Sequence, residues 1–186
     1  MLSVAFTAYS NVETIDEGVV ISGVRWATRN VAAPGTFAAN PEDVGQFYQW
    51  GRRRGWDATG SITGWNNSPS SGTNWTSQND PCPEGWRIPT NDELRTLRAA
   101  GSEPASRNGV YGRLFGTAPN QIFLPATGWR LYRTGAFVGT GTNGYYWGNT
   151  RTGSGFSHYL GFIRNAVSLS GTNRPYGFAI RCVSDN

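Results

Sequence analysis

Asp80-Pro81-Cys82-Pro83-Glu84-Gly85-Trp86-Arg87-Ile88-Pro89-Thr90 sets three prolines, a cysteine and a tryptophan directly ahead of a helix start. Each proline fixes φ and removes a backbone donor, so the run predicts a rigid corner. Thr90 and Glu93 are spaced as a capping box. The Thr90 hydroxyl is expected to accept from the Glu93 amide while the Glu93 carboxylate reaches back to the Thr90 amide. A helix from Asn91 to about Ala100 follows. The second cysteine lies in Phe178-Ala179-Ile180-Arg181-Cys182-Val183, whose apolar and β-branched content reads as the last strand.

Working outward, 186 residues fit one domain, or one domain with an extra arm. With 25 glycines and 8 tryptophans, the chain is expected to be rich in turns and held by large aromatics in place of long aliphatic helices. It has no 18-residue apolar run, which argues against membrane insertion. The opening Met1-Leu2-Ser3-Val4-Ala5 lacks the basic start and apolar stretch of a signal peptide, which predicts export by another route or a trimmed start.

Residues 1–17 read as an N-terminal arm and 18–186 as the domain. Gly18–Trp26 reads as a pair of strands, or one strand bent at Gly23. Asn40-Pro41-Glu42-Asp43 supplies an N-cap, a proline at the first helical position and two acids, predicting a helix from Pro41 to about Trp50 with Val44 and Phe47 or Tyr48 facing the core. From Gly51 to Asp80 the composition is that of a long loop pinned by Trp56, Trp65 and Trp75. Beyond Gly101, short apolar runs alternate with glycine-rich turns: 111–115, 121–125, 135–138, 145–147, 157–162 and the final strand. Helices first and strands after predict an α+β fold, two helices packed on short antiparallel sheets with long loops.

The chemistry available is limited. All sixteen basic residues are arginine, which excludes lysine Schiff-base chemistry and a Walker-type phosphate loop. Arg52-Arg53-Arg54 is the one dense basic cluster. It reads as a solvated loop and not as a nucleic-acid footprint, despite a net charge of +4. Cys82 and Cys182 either close a long disulfide loop or remain two buried thiols, and neither has a second Cys or a His at metal spacing. His158 is the only histidine, and no carboxylate occurs between Arg107 and Ser184. That stretch alone builds no paired-acid site or hard-metal cage. No catalytic residues, metal or cofactor are expected.

Several segments together carry a family resemblance. They are Gly23-Val24-Arg25-Trp26-Ala27-Thr28-Arg29-Asn30-Val31, Phe47-Tyr48-Gln49-Trp50-Gly51-Arg52, Asp80 through Thr90, and Leu124-Pro125-Ala126-Thr127-Gly128-Trp129-Arg130. Gly144-Tyr145-Tyr146-Trp147 and Tyr176-Gly177-Phe178-Ala179-Ile180-Arg181-Cys182-Val183 complete the series. In this order they resemble the Fibrobacter succinogenes major paralogous domain over about residues 18–184. The resemblance implies a C-type-lectin-like fold related to the formylglycine-generating enzyme, displayed on a bacterial cell surface or a phage virion. Oxidase activity of that enzyme's type needs two neighbouring active-site cysteines, whereas Cys82 and Cys182 fall in the framework segments. Calcium-dependent sugar binding is disfavoured, because Ala118-Pro119-Asn120 lacks the acid that flanks the Pro-Asn pair in sugar-binding lectins.

The chain also resembles the variable proteins of diversity-generating retroelements. From Gly148 to Asn186 it has no Lys, Glu, Gln, Met or Trp, the residues that an Asn codon mutated at its first two bases cannot encode. This resemblance implies a non-enzymatic ligand- or receptor-binding domain with a variable surface near its C-terminus and a protein or glycan receptor as partner. The alternative expectation is a structural cell-surface or pilus-like subunit that self-associates through the arm.

Strand alternation locates the expected surface. Leu160 and Phe162 read as core, leaving Tyr159, Gly161 and Ile163 on the other face and Arg164, Asn165 and Ala166 in an exposed turn. His158 stands at the start of the strand, where alternation decides little. Tyr145, Asn149, Arg151, Asn173 and Pro175 complete the candidate ligand-binding set. Tyrosine supplies rigid contact area, and small polar residues with arginine supply adaptable hydrogen bonds, as in paratopes.

Overall fold

The computed structural model describes residues 15–185. In chain order the first elements are β1 (Val19–Ile21), β2 (Val24–Trp26), β3 (Phe47–Gln49), β4 (Gly55–Trp56), β5 (Trp86–Arg87) and the helix α1 (Asn91–Ala99). Next come β6 (Ser102–Arg107), β7 (Val110–Thr117), β8 (Asn120–Pro125), β9 (Trp129–Arg130) and β10 (Phe137–Val138). The chain ends with β11 (Gly144–Gly153), β12 (Phe156–Ile163), β13 (Ala166–Asn173), β14 (Gly177–Phe178) and β15 (Val183–Ser184). They form four antiparallel sheets, ordered β1-β2-β15-β5, β10-β9-β14-β3-β4, β6-β7-β8 and β11-β12-β13.

The α+β expectation, a C-type-lectin-like arrangement of two helices packed on short antiparallel sheets, is therefore corrected. Among the described residues there is one α-helix, and the architecture is mostly β. The helix expected over Pro41–Trp50 is absent. Its start signal closes one turn only: the Asp43 amide donates to the Asn40 carbonyl at 3.1 Å, and the Asn40 amide donates to the Asp43 carboxylate at 2.8 Å. The chain then passes through Gly45 at φ +72°, where a Cβ would overlap the Val31 carbonyl. Phe47, Tyr48, Gln49 and Trp50 are all buried. Four consecutive inward residues suit a strand covered on both faces better than a helix with a polar side, and β3 sits between β14 and β4.

The Asp80–Thr90 corner forms as expected. The Asp80 carboxylate accepts from the Cys82 amide at 2.8 Å and the Ile88 amide at 3.0 Å, tying the two ends of the corner together. Burial pushes its carboxyl above the usual range in spite of both amides. The Glu93 amide donates to Thr90 Oγ1 at 3.2 Å and the Thr90 amide donates to Glu93 Oε2 at 2.7 Å, which completes the capping box. Arg87 grips the same carboxylate with two bonds of 2.9 and 2.7 Å. Cys82 and Cys182 form a disulfide, their Cα atoms 6.1 Å apart. Closing a loop with a sequence separation of 100 removes enough unfolded-chain entropy to stabilise the fold by about 4 to 5 kcal/mol.

Three of the buried arginines hold the loops. Arg130 donates to the carbonyls of Asp57, Thr59, Gly60 and Gly135, and Arg181 to those of Ala27 and Phe123 and to Asn30 Oδ1. Arg174 donates to the carbonyls of Ser70 and Gly72 and lies 4.2 Å over the Trp50 ring. Burial lowers the pKa of all three guanidinium groups, that of Arg181 to about 10, which leaves Arg181 charged at neutral pH. Carbonyl dipoles compensate those charges where carboxylates are scarce. The 51–80 loop is fastened by this means and by its tryptophans: Trp56 and Trp75 are buried, and Trp65 donates to the Tyr132 carbonyl at 2.9 Å.

Of the proposed arm, residues 1–14 lie outside the described part. Asp16 is buried and accepts from the Gly18 amide and from the amide and hydroxyl of Thr28, each at 3.0 Å, so the end of the arm is fastened to the domain. Among the described residues no helix is long and apolar enough to cross a membrane.

Candidate ligand-binding face

Cross-strand partners in an antiparallel pair share a face, so the register of β11–β13 assigns every side chain to one side. Tyr146 pairs with Leu160, Leu160 with Leu169 and Phe162 with Val167. All five pack into the core cluster that contains Leu94 and Leu97 of α1. On the opposite face, Tyr145 pairs with Gly161, Trp147 with Tyr159, Tyr159 with Ser170 and Gly161 with Ser168. Ser168 and Ser170 are exposed, Tyr159 is half-buried and Trp147 is fully buried. This face therefore runs from a covered aromatic side at β11 to an open polar edge at β13.

A cleft of about 170 Å³ opens along that boundary, lined by Trp129, Tyr145, Tyr159, Thr172, Tyr176 and Phe178. Phe178 is its floor. The rings of Tyr145, Tyr159 and Tyr176 lie 5.1, 5.2 and 5.6 Å from it, and Trp147 stacks on it at 4.4 Å. Trp129 meets Tyr145 edge-on at 4.9 Å. Gly161 makes the arrangement possible, since a Cβ there would stand 2.8 Å from Tyr159 Cε2 and 3.4 Å from Tyr145 Cε1.

Burial pushes the Tyr145 and Tyr176 phenols above their ordinary pKa, and neighbouring tyrosines add to it. They stay protonated and can donate. Tyr132 accepts from Arg133 Nε and Tyr146 donates to the Pro125 carbonyl, but the hydroxyls of Tyr145, Tyr159 and Tyr176 have no hydrogen-bond partner among the described residues.

Of the residues expected at the surface, only Tyr145 and Tyr159 line the cleft. Asn149 and Arg151 lie further along β11, where the backbone bonds to Pro89, Thr73 and Trp75; the Arg151 side chain is exposed. His158 falls on the core side of β12, with Arg95 and Asp92 of α1 as its charged neighbours, and desolvation lowers its pKa. Pro175 is buried, and its carbonyl accepts from Gln49 Nε2 at 3.0 Å. Asn173 closes β13, and its carbonyl accepts from the Tyr176 amide at 3.1 Å. Ile163, Arg164, Asn165 and Ala166 form an exposed hairpin tip, roughly 13 Å along the strand from Tyr159. Arg113 holds the tip by donating to the Arg164 carbonyl at 2.5 Å.

The residues missed are Trp129, Thr172, Tyr176 and Phe178, together with Ser168 and Ser170 on the open edge. Three of them stand in segments that read as framework. The alternation of Val167 and Leu169 with Ser168 and Ser170 was the available signal for β13. No protein-family model, curated protein or solved structure matches this chain.

Proposed function

We propose that this chain is a non-enzymatic ligand- or receptor-binding domain, and that its ligand sits on the open face of β11–β13 with the aromatic cleft as the anchor point. The observation that carries this reading is the convergence of three tyrosine rings around Phe178 in a cleft open to solvent, their hydroxyls without a hydrogen-bond partner among the described residues. Rigid aromatic contact area beside polar groups free to pair is the composition of an adaptable recognition surface. The cleft lining offers no carboxylate, imidazole or thiol, so the chemistry it supports is binding.

The resemblance to the Fibrobacter paralogous domain and to retroelement-diversified proteins supports display on a bacterial cell surface or phage virion. It also supports sequence variation over the C-terminal strands. A glycan-array and cell-binding screen tests the reading, comparing the parent with Tyr145→Ala, Tyr159→Ala and Arg164→Ala. Binding that all three leave unchanged removes the face from consideration. A near-identical repeat and a reverse transcriptase in the flanking DNA would support diversification, and their absence would end that part of the proposal.

A further inference from the structure

We infer that the cleft holds a single pyranose ring, the terminal sugar of a glycan, and that an acidic sugar is preferred over a neutral one; this rests on the face being the binding site. Size comes first. About 170 Å³ admits one six-membered ring with its substituents and is well below the roughly 300–1,000 Å³ of sites that enclose larger molecules. A pyranose has an apolar C–H face and a rim of hydroxyls. The half-buried rings of Trp129, Tyr145 and Tyr159 offer aromatic surface to the first, while Tyr145, Tyr159, Tyr176 and Thr172 bring groups that both donate and accept to the second.

The competing occupants fit less well. An aromatic or aliphatic side chain filling the cleft would take up to three phenol hydroxyls out of water with nothing to pair them, at the full desolvation cost. An ammonium group would enjoy the aromatic walls, but no lining residue carries negative charge. Beyond the lining, the charge that acts on it is positive. Arg133 is exposed and lies 5.3 Å over the Tyr132 ring, which packs 5.1 Å from Tyr176, and its charge acts on the Tyr176 phenol. A guanidinium in that position pairs with the carboxylate of a hexuronic or sialic acid.

The test is an array of terminal neutral hexoses, N-acetylhexosamines, hexuronic acids and sialic acids, followed by calorimetry with the free methyl glycosides. The parent is expected to bind at least one acidic sugar threefold or more tighter than its neutral counterpart, with or without a chelator. Arg133→Ala should erase that preference. Tyr159→Phe, which keeps the ring and removes only the hydroxyl, should weaken binding several-fold without changing the melting temperature. Neutral sugars bound as tightly as acidic ones would overturn the charge assignment. If no sugar binds while cells or a protein receptor still bind and Tyr145→Ala abolishes that binding, the pyranose is wrong and the face stands. If neither sugar nor cell binding depends on Tyr145 or Tyr159, both fall.

Discussion

The two faces of the β11–β13 sheet are cut from the same three strands and have opposite chemistry. Toward α1, Tyr146, Leu160, Phe162, Val167 and Leu169 interlock with Leu94 and Leu97. On the other side, the exposed Ser168 and Ser170 lie along β13, whose Thr172 lines the tyrosine-rich cleft. The packed face gains stability from buried area, and each methylene it loses leaves a cavity. On the opposite face Trp147, Tyr145 and Tyr159 belong to a second aromatic core cluster, and only its exposed edge at Ser168 and Ser170 can be exchanged at little cost in stability. The domain is fastened away from this edge by the disulfide, the capped helix and the buried arginines.

The largest effect should come from removing the fastening. Replacing Cys82 and Cys182 together by serine is expected to lower stability by about 4 to 5 kcal/mol in a urea titration. If the separation holds, the molecules still folded bind as before. Leu160→Ala, at a fully buried position on the packed face, should cost about 2 to 5 kcal/mol with unaltered binding per folded molecule. Loss of ligand affinity in that variant without loss of stability would break the two-face comparison.

A smaller effect is expected at the helix start. Burial opposes the charge on Glu93, but Arg87 and Thr90 outweigh it and hold the carboxyl below its ordinary value. A depressed folded pKa adds stability that is present above the unfolded value of about 4.3 and is lost as the pH falls through the folded one. Thermal melts of the parent and Glu93→Gln should therefore differ at neutral pH and converge in acid; a gap that widened in acid would refute this. The smallest effect belongs to the open edge, where Ser168→Ala and Ser170→Ala should each shift stability by less than about 0.5 kcal/mol. A larger loss at either serine would show that the open face also supports the fold.

Much of the frame was legible because its signals are local. The capping box of Thr90 and Glu93 is a set of hydrogen bonds within four residues, and it specified α1 to within one residue of its end. Leu160 and Phe162 were readable as inward because alternation along one strand needs no knowledge of its neighbours. The same reasoning failed at Asn40–Asp43, where an equally good start signal met Gly45 and a run of residues claimed by a sheet. Local propensity there was overridden by tertiary burial. The α+β expectation failed with it.

The sequence by itself determined the rigid corner, the capped helix, the inward positions of β12, and the lack of carboxylates between Arg107 and Ser184. Only the tertiary structure decided that Cys82 meets Cys182, that His158 falls on the core side of β12 and Pro175 is buried, and that Trp129, Tyr145, Tyr159, Thr172, Tyr176 and Phe178 surround one cleft. The reason is range. Caps and alternation are set by neighbours along the chain, whereas the cleft exists only where β9, β11, β12, β13 and β14 come together, and no single segment carries that information.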